Sequence, residues 1–195
     1  MKYTELRKLK EKIYFTVEDL ENLLGIKPES ARVLCVRYTK KGLFIRLKKN
    51  FYVLAEKWEN FKKEDFLRIS NILQVPSYIS FMSALSFYGV TTQIQQSYFE
   101  SASLKRSVRF NIKGVVFNFL KLKKRYYFDF VKNGDIFIAT KEKAFIDSIY
   151  LYSFGKYKID FSSLDLDKLD KNKIRGIIKL YPQKTIKIVK DLCRI

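Results

Sequence analysis

Hydrophobic residues recur at helical spacing in two short runs near the start of the chain. The apolar positions of the first run are Val17, Leu20, Leu23 and Leu24. Thr16 precedes this run and Asp19 follows it by three residues, which predicts a helix N-terminus with an imperfect capping box, because Asp replaces the usual Glu or Gln. Gly25 supplies the permissive backbone at which such a helix ends. The pattern therefore predicts a short helix between Thr16 and Gly25.

A second run follows after a turn of three or four residues. Its apolar positions are Ala31, Leu34, Cys35 and Tyr38. They form one stripe of a helix. Pro28 suits the first turn, where its missing N–H is not needed, and Gly42 ends the helix. Two short helices joined by a tight turn that contains a glycine are typical of a helix-turn-helix.

The segment after the second helix predicts a basic β-hairpin. Residues 43–55 (LFIRLKKNFYVLA) alternate as two strands do, around the polar turn Lys48-Lys49-Asn50. Asn50 suits this turn because it tolerates a positive φ. Tyr14 and Phe15 can pair with the hairpin as a short third strand. A hairpin directly after the second helix is the wing of a winged helix-turn-helix.

The exposed side of the second helix and the hairpin tip carry the candidate DNA-binding residues. These are Glu29, Ser30, Arg32, Val33, Arg37, Lys40, Lys41, Arg46, Lys48 and Lys49. The second helix of such a fold enters the major groove with its N-terminal residues nearest the base edges. Ser30 and Arg32 are therefore the best candidates for contacts to bases, and Glu29 suits a cytosine amino group.

The remaining candidates suit contacts to the DNA backbone. We expect Arg37, Lys40 and Lys41 to lie closer to phosphate, and the basic residues of the wing to reach the backbone or the minor groove. The alternative is an ordinary solvated surface on a small domain that binds another protein. Basic residues on both the helix face and the hairpin tip, where a duplex would lie, favour DNA.

The second half of the chain, after the charged stretch at residues 56–65, predicts an α+β domain. Helices are expected over residues 66–73, 80–89, 140–155, 168–180 and 182–193. Strand-like runs cover residues 97–103, 107–112, 115–122, 126–131 and 135–140, with hairpin turns at Lys113-Gly114 and Asn133-Gly134. This order predicts a mostly antiparallel sheet followed by C-terminal helices. We therefore divide the chain into domains at residues 1–58 and 59–195.

Composition narrows the functional classes. The chain has 39 Lys and Arg against 20 Asp and Glu, a formal charge of +19, which favours a polyanionic partner, although a Lys-rich surface would also account for it. The absence of histidine excludes Ser-His and Cys-His catalysis and every His metal site. Cys35 and Cys193 cannot form a four-ligand zinc site, so no metal or cofactor is expected. No secretory signal and no run of about 18 apolar residues is present, which predicts a cytoplasmic protein with no membrane partner.

Three polar groups in the second half admit more than one interpretation. One group could form a functional surface: Tyr78, Ser80, Ser83, Tyr88 and Gly89. The simpler account is that Ser80 and Gly89 cap a helix and that the aromatic residues of the group lie in the core. Glu142, Lys143 and Asp147 suggest a nuclease, but they fall on one helix and are expected to be a solvated helix start.

The third group is basic. Lys121, Lys123, Lys124 and Arg125 cluster at one strand end, with Lys105, Arg106 and Arg109 nearby in sequence. This patch could extend a DNA footprint, contact RNA or hold an acidic protein surface.

Three segments together resemble a known family. They are the Thr-Val-x-Asp-Leu helix-turn-helix at residues 16–20 with its wing, PSYISFMSALSFYG at residues 76–89, and IATKEKAFIDSIYL at residues 138–151. The combination, spread over residues 16–192, resembles the AbiE-type abortive-infection antitoxins (the AbiEi family) of type IV toxin–antitoxin systems. Lys141 stands where that family often has Pro, and Asn50 where its wing turn often has Gly.

The resemblance implies a protein with two functions and no enzymatic activity. Its winged helix would repress its own operon by binding inverted repeats in the promoter. Its C-terminal domain would counteract a co-encoded nucleotidyltransferase-like toxin, without a need for a stable complex. The alternatives are a stand-alone winged-helix regulator whose C-terminal domain senses a ligand or oligomerises, and an enzyme acting on nucleic acid, which the missing histidines disfavour.

Overall fold

A computed structural model describes residues 3–93 and 95–195, with side chains from residue 5 onward. The chain divides into two compact units, Met1–Ile69 and Ser70–Ile195. Their boundary falls within the helix α5 (Lys63–Leu73), so the chain passes from one unit to the other without a Gly/Ser linker.

From residue 3 onward, the first unit contains four further helical segments and a small sheet. The helices are α1 (Tyr3–Leu6, continued by a 3-10 turn at Arg7–Glu11), α2 (Val17–Leu24), α3 (Pro28–Lys40) and α4 (Ala55–Trp58). The strands are β1 (Phe15–Thr16), β2 (Phe44–Lys48) and β3 (Phe51–Leu54). All pairings in the order β1-β3-β2 are antiparallel. This arrangement is a winged helix-turn-helix, as the sequence predicts.

The local signals of the sequence act as expected in this unit. The Thr16 hydroxyl accepts a hydrogen bond from the Asp19 N–H (3.2 Å), and the Asp19 carboxylate accepts one from the Thr16 N–H (2.7 Å), which completes the capping box of α2. Gly25 ends α2 at φ +60°, and Pro28 opens α3. Helix and hairpin boundaries here follow from residues that are adjacent in sequence.

An aromatic and aliphatic core joins these elements. Its buried members are Leu6, Leu9, Phe15, Val17, Leu20, Ala31, Leu34, Cys35, Phe44, Tyr52 and Leu54. Phe15 of β1 packs edge-on against Phe44 of β2 (ring centroids 4.8 Å apart) and is stacked on Tyr52 of β3 (5.9 Å). Burial raises the pKa of the Cys35 thiol to about 11, so this cysteine behaves as a small apolar core residue.

The second unit contains a sheet and several helices. The strands are β4 (Ser77–Ile79), β5 (Tyr98–Ser103), β6 (Val108–Ile112), β7 (Val115–Lys121), β8 (Phe130–Asn133) and β9 (Ile136–Ala139). The helices are α6 (Phe81–Phe87), α7 (Lys141–Ser153), α8 (Lys171–Ile178) and α9 (Gln183–Cys193). Short 3-10 turns lie at Lys124–Tyr126, Phe161–Ser163 and Leu166–Lys168.

The sheet of this unit has the order β6-β7-β5-β4-β9-β8. The pairs β4–β5, β6–β7 and β8–β9 are antiparallel, whereas β5–β7 and β4–β9 are parallel. The sheet is thus mostly antiparallel, and both expected hairpins form, with Ile112 paired to Val115 and Asn133 to Ile136. The strand expected over residues 126–131 is shorter, because Tyr126 lies in a 3-10 turn.

Helix α7 is buried along almost its whole length, because it packs against α6, α8, α9 and β9. Glu142, Lys143 and Asp147 are therefore buried, and the prediction of a solvated helix start is wrong. Glu142 is bound at the start of α8, where its carboxylate accepts a hydrogen bond from the Asp170 N–H (3.1 Å) and pairs with Lys173 (3.6 Å). Charged residues at this helix start meet neighbouring elements instead of water.

Lys143 and Asp147 form an ion pair with no exposed side-chain surface. The Lys143 ammonium also donates to the Tyr78 hydroxyl (3.1 Å) and lies 5.1 Å from the centroid of the Phe128 ring. Asp147 accepts from the hydroxyls of Tyr78 (3.0 Å) and Ser80 (2.9 Å). Ser80 stands at the N-cap position of α6 but makes no capping bond, which corrects its predicted role. Because this cluster is enclosed, it offers no surface to a substrate.

Within the described part of the chain, the helices include none that is both long and apolar enough to cross a membrane.

Candidate nucleic-acid interface

Helix α3 presents one buried and one exposed face. Ala31, Leu34 and Cys35 are buried in the core, which turns the opposite side of the helix outward. The candidate residues on that outward side are all exposed: Glu29, Ser30, Arg32, Val33, Arg37 and Lys40, with Lys41 directly after the helix. At a rise of 1.5 Å per residue this face is about 16 Å long, which suits insertion along a major groove.

The helix and the wing together border a cleft of about 670 Å³. Arg32 of α3 lines it with Arg46 and Lys49 of the wing, so two separate elements bring three cations together. Glu18 and Glu21 of α2 also line it. Because carboxylates repel phosphate, we expect an anion to lie on the side of α3 and the wing.

Arg32 is paired with Glu29 across one turn of α3. Their charged groups are 3.8 Å apart, and both side chains are largely exposed. An exposed pair of this kind contributes at most about 1 kcal/mol, so either partner can exchange it for a contact to DNA. The pair keeps Arg32 on the outward face without locking it there.

Two valines form an apolar strip between the cations of α3. Val33 is 64% exposed and Val36 is 54% exposed. They line a shallow depression of about 390 Å³ together with Arg32, Arg37 and Lys40. Apolar side chains in the major groove contact the thymine methyl group. The sequence prediction included Val33 but missed Val36, although its spacing of three residues from Val33 on a helix was a usable signal.

The wing is held to the helices by its turn residue. Asn50 has a φ of +66°, as expected for a tight turn, and its side-chain oxygen accepts a hydrogen bond from the Val17 N–H (3.1 Å) at the start of α2. The sequence indicated the turn role of Asn50 but not this second one. The bond fixes the wing tip relative to the helix-turn-helix.

The cations of the wing differ in how they are placed. The Lys48 ammonium lies 4.2 Å from the centroid of the Phe51 ring and the side chain is half-buried. Lys49 and Arg46 are exposed. A cation held against an aromatic ring contributes about 0.5–1 kcal/mol at an exposed site. Lys48 therefore loses more stabilising free energy than Lys49 when its ammonium moves to a phosphate. The sequence alone ranked the two lysines equally.

These features define the first unit as a winged helix-turn-helix with a basic outward face on its second helix. A family model matches the same part of the chain: residues 5–55 match the family described as "Transcriptional regulator, AbiEi antitoxin". The resemblance inferred from the sequence is thus confirmed over these residues. The matched range contains every residue of the candidate interface.

The fold is also similar to that of a solved structure. The crystal structure of the Rv2827c protein from Mycobacterium tuberculosis superposes with a TM-score of 0.64 and 8% sequence identity, over 96% of this chain and 74% of that one. At this identity the likeness concerns the fold alone. No curated protein sequence matches the chain.

Proposed function

We propose that the chain is a DNA-binding transcriptional autorepressor and the antitoxin of a type IV toxin–antitoxin system. In this proposal residues 1–58 bind the protein's own promoter, and residues 59–195 counteract a co-encoded nucleotidyltransferase-like toxin. The protein acts in the cytoplasm by binding and not as an enzyme. The observation that carries the DNA-binding part is the convergence of Arg32, Arg46 and Lys49 from α3 and the wing on one cleft.

Helix α3 enters the major groove in this proposal. Arg32 leaves its exposed pair with Glu29 and donates to the O6 and N7 atoms of a guanine. Ser30 contacts a neighbouring base, and Glu29, once released, accepts from a cytosine amino group. Val33 and Val36 contact thymine methyl groups. Each such contact contributes about 1–3 kcal/mol of discrimination between bases.

The other cations bind the sugar–phosphate backbone. Arg37, Lys40 and Lys41 follow the base-contacting residues along α3 toward its C-terminus, and the wing contributes Arg46, Lys48 and Lys49. Contacts of this kind set position and affinity without sequence preference. An operator made of inverted repeats would take two copies of the domain, one for each repeat.

Support for the antitoxin part comes from the family description and from the resemblance of residues 76–89 and 138–151 to the same antitoxins. These two segments form β4 with α6, and the end of β9 with α7, around the buried Lys143–Asp147 pair. Neutralisation in this proposal does not require a stable complex with the toxin.

The two parts are tested by two assays in cells. A reporter driven by the chain's upstream DNA should be repressed by the wild type and released by Arg32→Ala, with Lys132→Ala of the second unit as the control. Growth arrested by the neighbouring toxin gene should be restored by both variants. Full repression by Arg32→Ala would contradict the assigned interface. Failure of the wild type to restore growth would contradict the antitoxin role.

A further inference from the structure

A second cleft lies within the second unit and plays no part in the proposed DNA contacts. Its volume is about 460 Å³, within the range of about 300–1,000 Å³ that is usual for small-molecule sites. It opens over β5 and β7 of the sheet and is closed on one side by residues 155–160, which follow α7. Its lining combines polar and aromatic side chains with the aliphatic side chains of Met82, Leu120 and Ile159.

A row of three polar side chains crosses the sheet at this cleft. Glu100 of β5 is paired in register with Asn118 of β7, and Asn118 is paired with Arg109 of β6. Residues directly opposite in neighbouring strands point to the same face of a sheet. The row runs from a carboxylate that is 2% exposed, through a half-buried amide, to an exposed guanidinium. An acidic side chain therefore lies at the floor of the cleft, and a basic side chain lies beside its lining residue Tyr98.

The floor carboxylate is held by neutral donors. The Tyr157 hydroxyl donates to Glu100 Oε2 (2.6 Å), and the backbone of Met82 and the amide of Asn118 also lower its pKa. Burial outweighs them and raises the pKa of Glu100 to about 7. A carboxylate has about four acceptor positions, so the Tyr157 hydroxyl can share this one with an N–H from a ligand.

Two aromatic rings and two amides form the sides of the cleft. Tyr98 and Tyr157 contribute the rings, and Gln93 and Gln95 contribute the amides. Arg109 is held beside Tyr98, because its guanidinium donates to the Tyr98 hydroxyl (3.1 Å) and lies 5.3 Å from the ring centroid. Rings for stacking together with amides for hydrogen bonding recognise flat heterocycles such as nucleobases.

The rim is basic. Lys156 and Lys158 flank Tyr157 and are exposed, as is Arg109. Asp160 also lines the cleft, but its carboxylate accepts hydrogen bonds from Gln93 (3.1 Å) and from the Ser162 side chain (2.6 Å). These neutral donors leave the Asp160 carboxylate negative. The exposed cations Lys156, Lys158 and Arg109 outnumber it, so the net charge around the entrance is positive, which suits a phosphate.

We propose that this cleft binds a nucleotide whose base carries an exocyclic amino group. The amino group donates to Glu100, the base stacks between Tyr98 and Tyr157, and the phosphate contacts Arg109, Lys156 and Lys158. A polyamine would supply the donors but is repelled by the rim, and a dicarboxylate would suit the rim but lacks the donors. A zwitterionic amino acid supplies both charges but leaves the two rings without a flat partner.

Isothermal titration calorimetry of the full chain with matched nucleotides tests this site. CMP and UMP differ by an amino group in place of a carbonyl, as do AMP and IMP. We expect the amino member of at least one pair to bind at least tenfold more tightly than its partner. Glu100→Gln, which keeps the side-chain shape, should abolish that preference, and Arg109→Gln should weaken both members. Lys132→Gln, on the exposed edge strand β8, should change neither.

Two outcomes would overturn the proposal. One is the absence of binding heat when folded wild-type protein is titrated with each of the four nucleotides at millimolar concentration. The other is equal weakening by Arg109→Gln and Lys132→Gln, since this would show non-specific attraction to a basic surface. The nucleotide could be free or could be the end of an RNA strand, and a six-residue RNA that ends in the preferred nucleotide distinguishes the two. Tighter binding of this RNA than of the mononucleotide would show that the cleft binds an RNA end, and weaker binding would show that it binds a free nucleotide.

Discussion

The buried ion pair Lys143–Asp147 allows the effect of a single atom change to be worked out. Both carboxylate oxygens of Asp147 act as acceptors: Oδ1 from Lys143 and the Tyr181 hydroxyl (3.4 Å), and Oδ2 from the hydroxyls of Tyr78 and Ser80. In Asp147→Asn the new NH₂ group faces either the Lys143 ammonium, which cannot accept a hydrogen bond, or the Tyr78 and Ser80 hydroxyls, which now donate and would have to turn to accept. The Lys143 ammonium, which burial already disfavours by lowering its pKa, also loses its counter-ion.

The expected loss of stability follows from these contacts. Removing one partner of a buried pair leaves an uncompensated charge and costs about 3–5 kcal/mol. Asp147→Asn should fall in this range. Lys143→Met should cost less, because the carboxylate keeps its three hydroxyl donors and can take up a proton. The double variant should be less unstable than the sum of the single variants, since neither buried charge remains.

Urea denaturation followed by far-ultraviolet circular dichroism measures these differences. Asp165→Asn is the matched control, because Asp165 and Lys168 form an exposed pair (3.3 Å) in the same unit. Exposed pairs contribute about 0–1 kcal/mol, so this control should scarcely move the unfolding midpoint. A loss below about 1 kcal/mol for Asp147→Asn, no larger than that of the control, would refute the assignment of a desolvated pair.

Three further outcomes are expected. Arg32→Ala should relax sequence preference in DNA-binding titrations, and equal losses of affinity on specific and random DNA would contradict its contact to a base. Lys49→Ala should weaken binding to every duplex and flatten the salt slope by about one unit, and both effects should be larger than those of Lys48→Ala. Thr16→Ala should cost about 1 kcal/mol of unfolding free energy in urea titrations, and no change would mean that the capping box is dispensable. Burial raises the pKa of Glu100 from 4.5 to about 7, so the bound proton stabilises the folded state fully below pH 4.5, and this contribution, about 3 kcal/mol, is lost as the pH rises through 7. In Glu100→Gln the unfolding free energy should lack this loss between pH 5 and pH 8. Identical dependence of the unfolding free energy on pH in the variant and the wild type would contradict the raised pKa.

Local signals made the first unit predictable from its sequence. The capping residues of α2, Pro28 at the start of α3 and Asn50 in the wing turn each act within a few residues of their own position. The alternation of Ala31 and Leu34 with exposed cations then fixed which face of α3 points outward. Two of these signals, Pro28 and Asn50, are conformational preferences of a single residue type, and the capping box needs only two residues three positions apart. One sequence is therefore enough to identify them.

The sheet of the second unit was predictable only in part. Its hairpins follow from Lys113-Gly114 and Asn133-Gly134, but the parallel pairings β5–β7 and β4–β9 join strands that do not follow one another in the chain. Such pairings depend on how all the elements pack together. The hydrophobic pattern of one strand therefore does not specify its neighbour.

Buried charges were the main failure of the sequence prediction. Lys143 and Asp147 were expected at a solvated helix start, and the sequence indicated no role for Glu100. All three are residue types that usually lie at a surface, and their burial depends on helices and strands that meet them only in the folded chain. Two signals were present in retrospect: the spacing of four between Lys143 and Asp147, and the position of Glu100 directly before three small residues of a strand. Neither is specific enough to predict burial without the partners.

The most direct test of the account is a fluorescence-anisotropy titration of the full chain against its own upstream DNA and against a scrambled duplex, at several salt concentrations. The account predicts a preference of about 10³-fold or more for the upstream DNA, with a salt dependence that reflects the phosphate contacts of α3 and the wing. Equal and steeply salt-dependent binding to both duplexes would contradict it, because the basic face of α3 would then attract any polyanion without recognising a sequence.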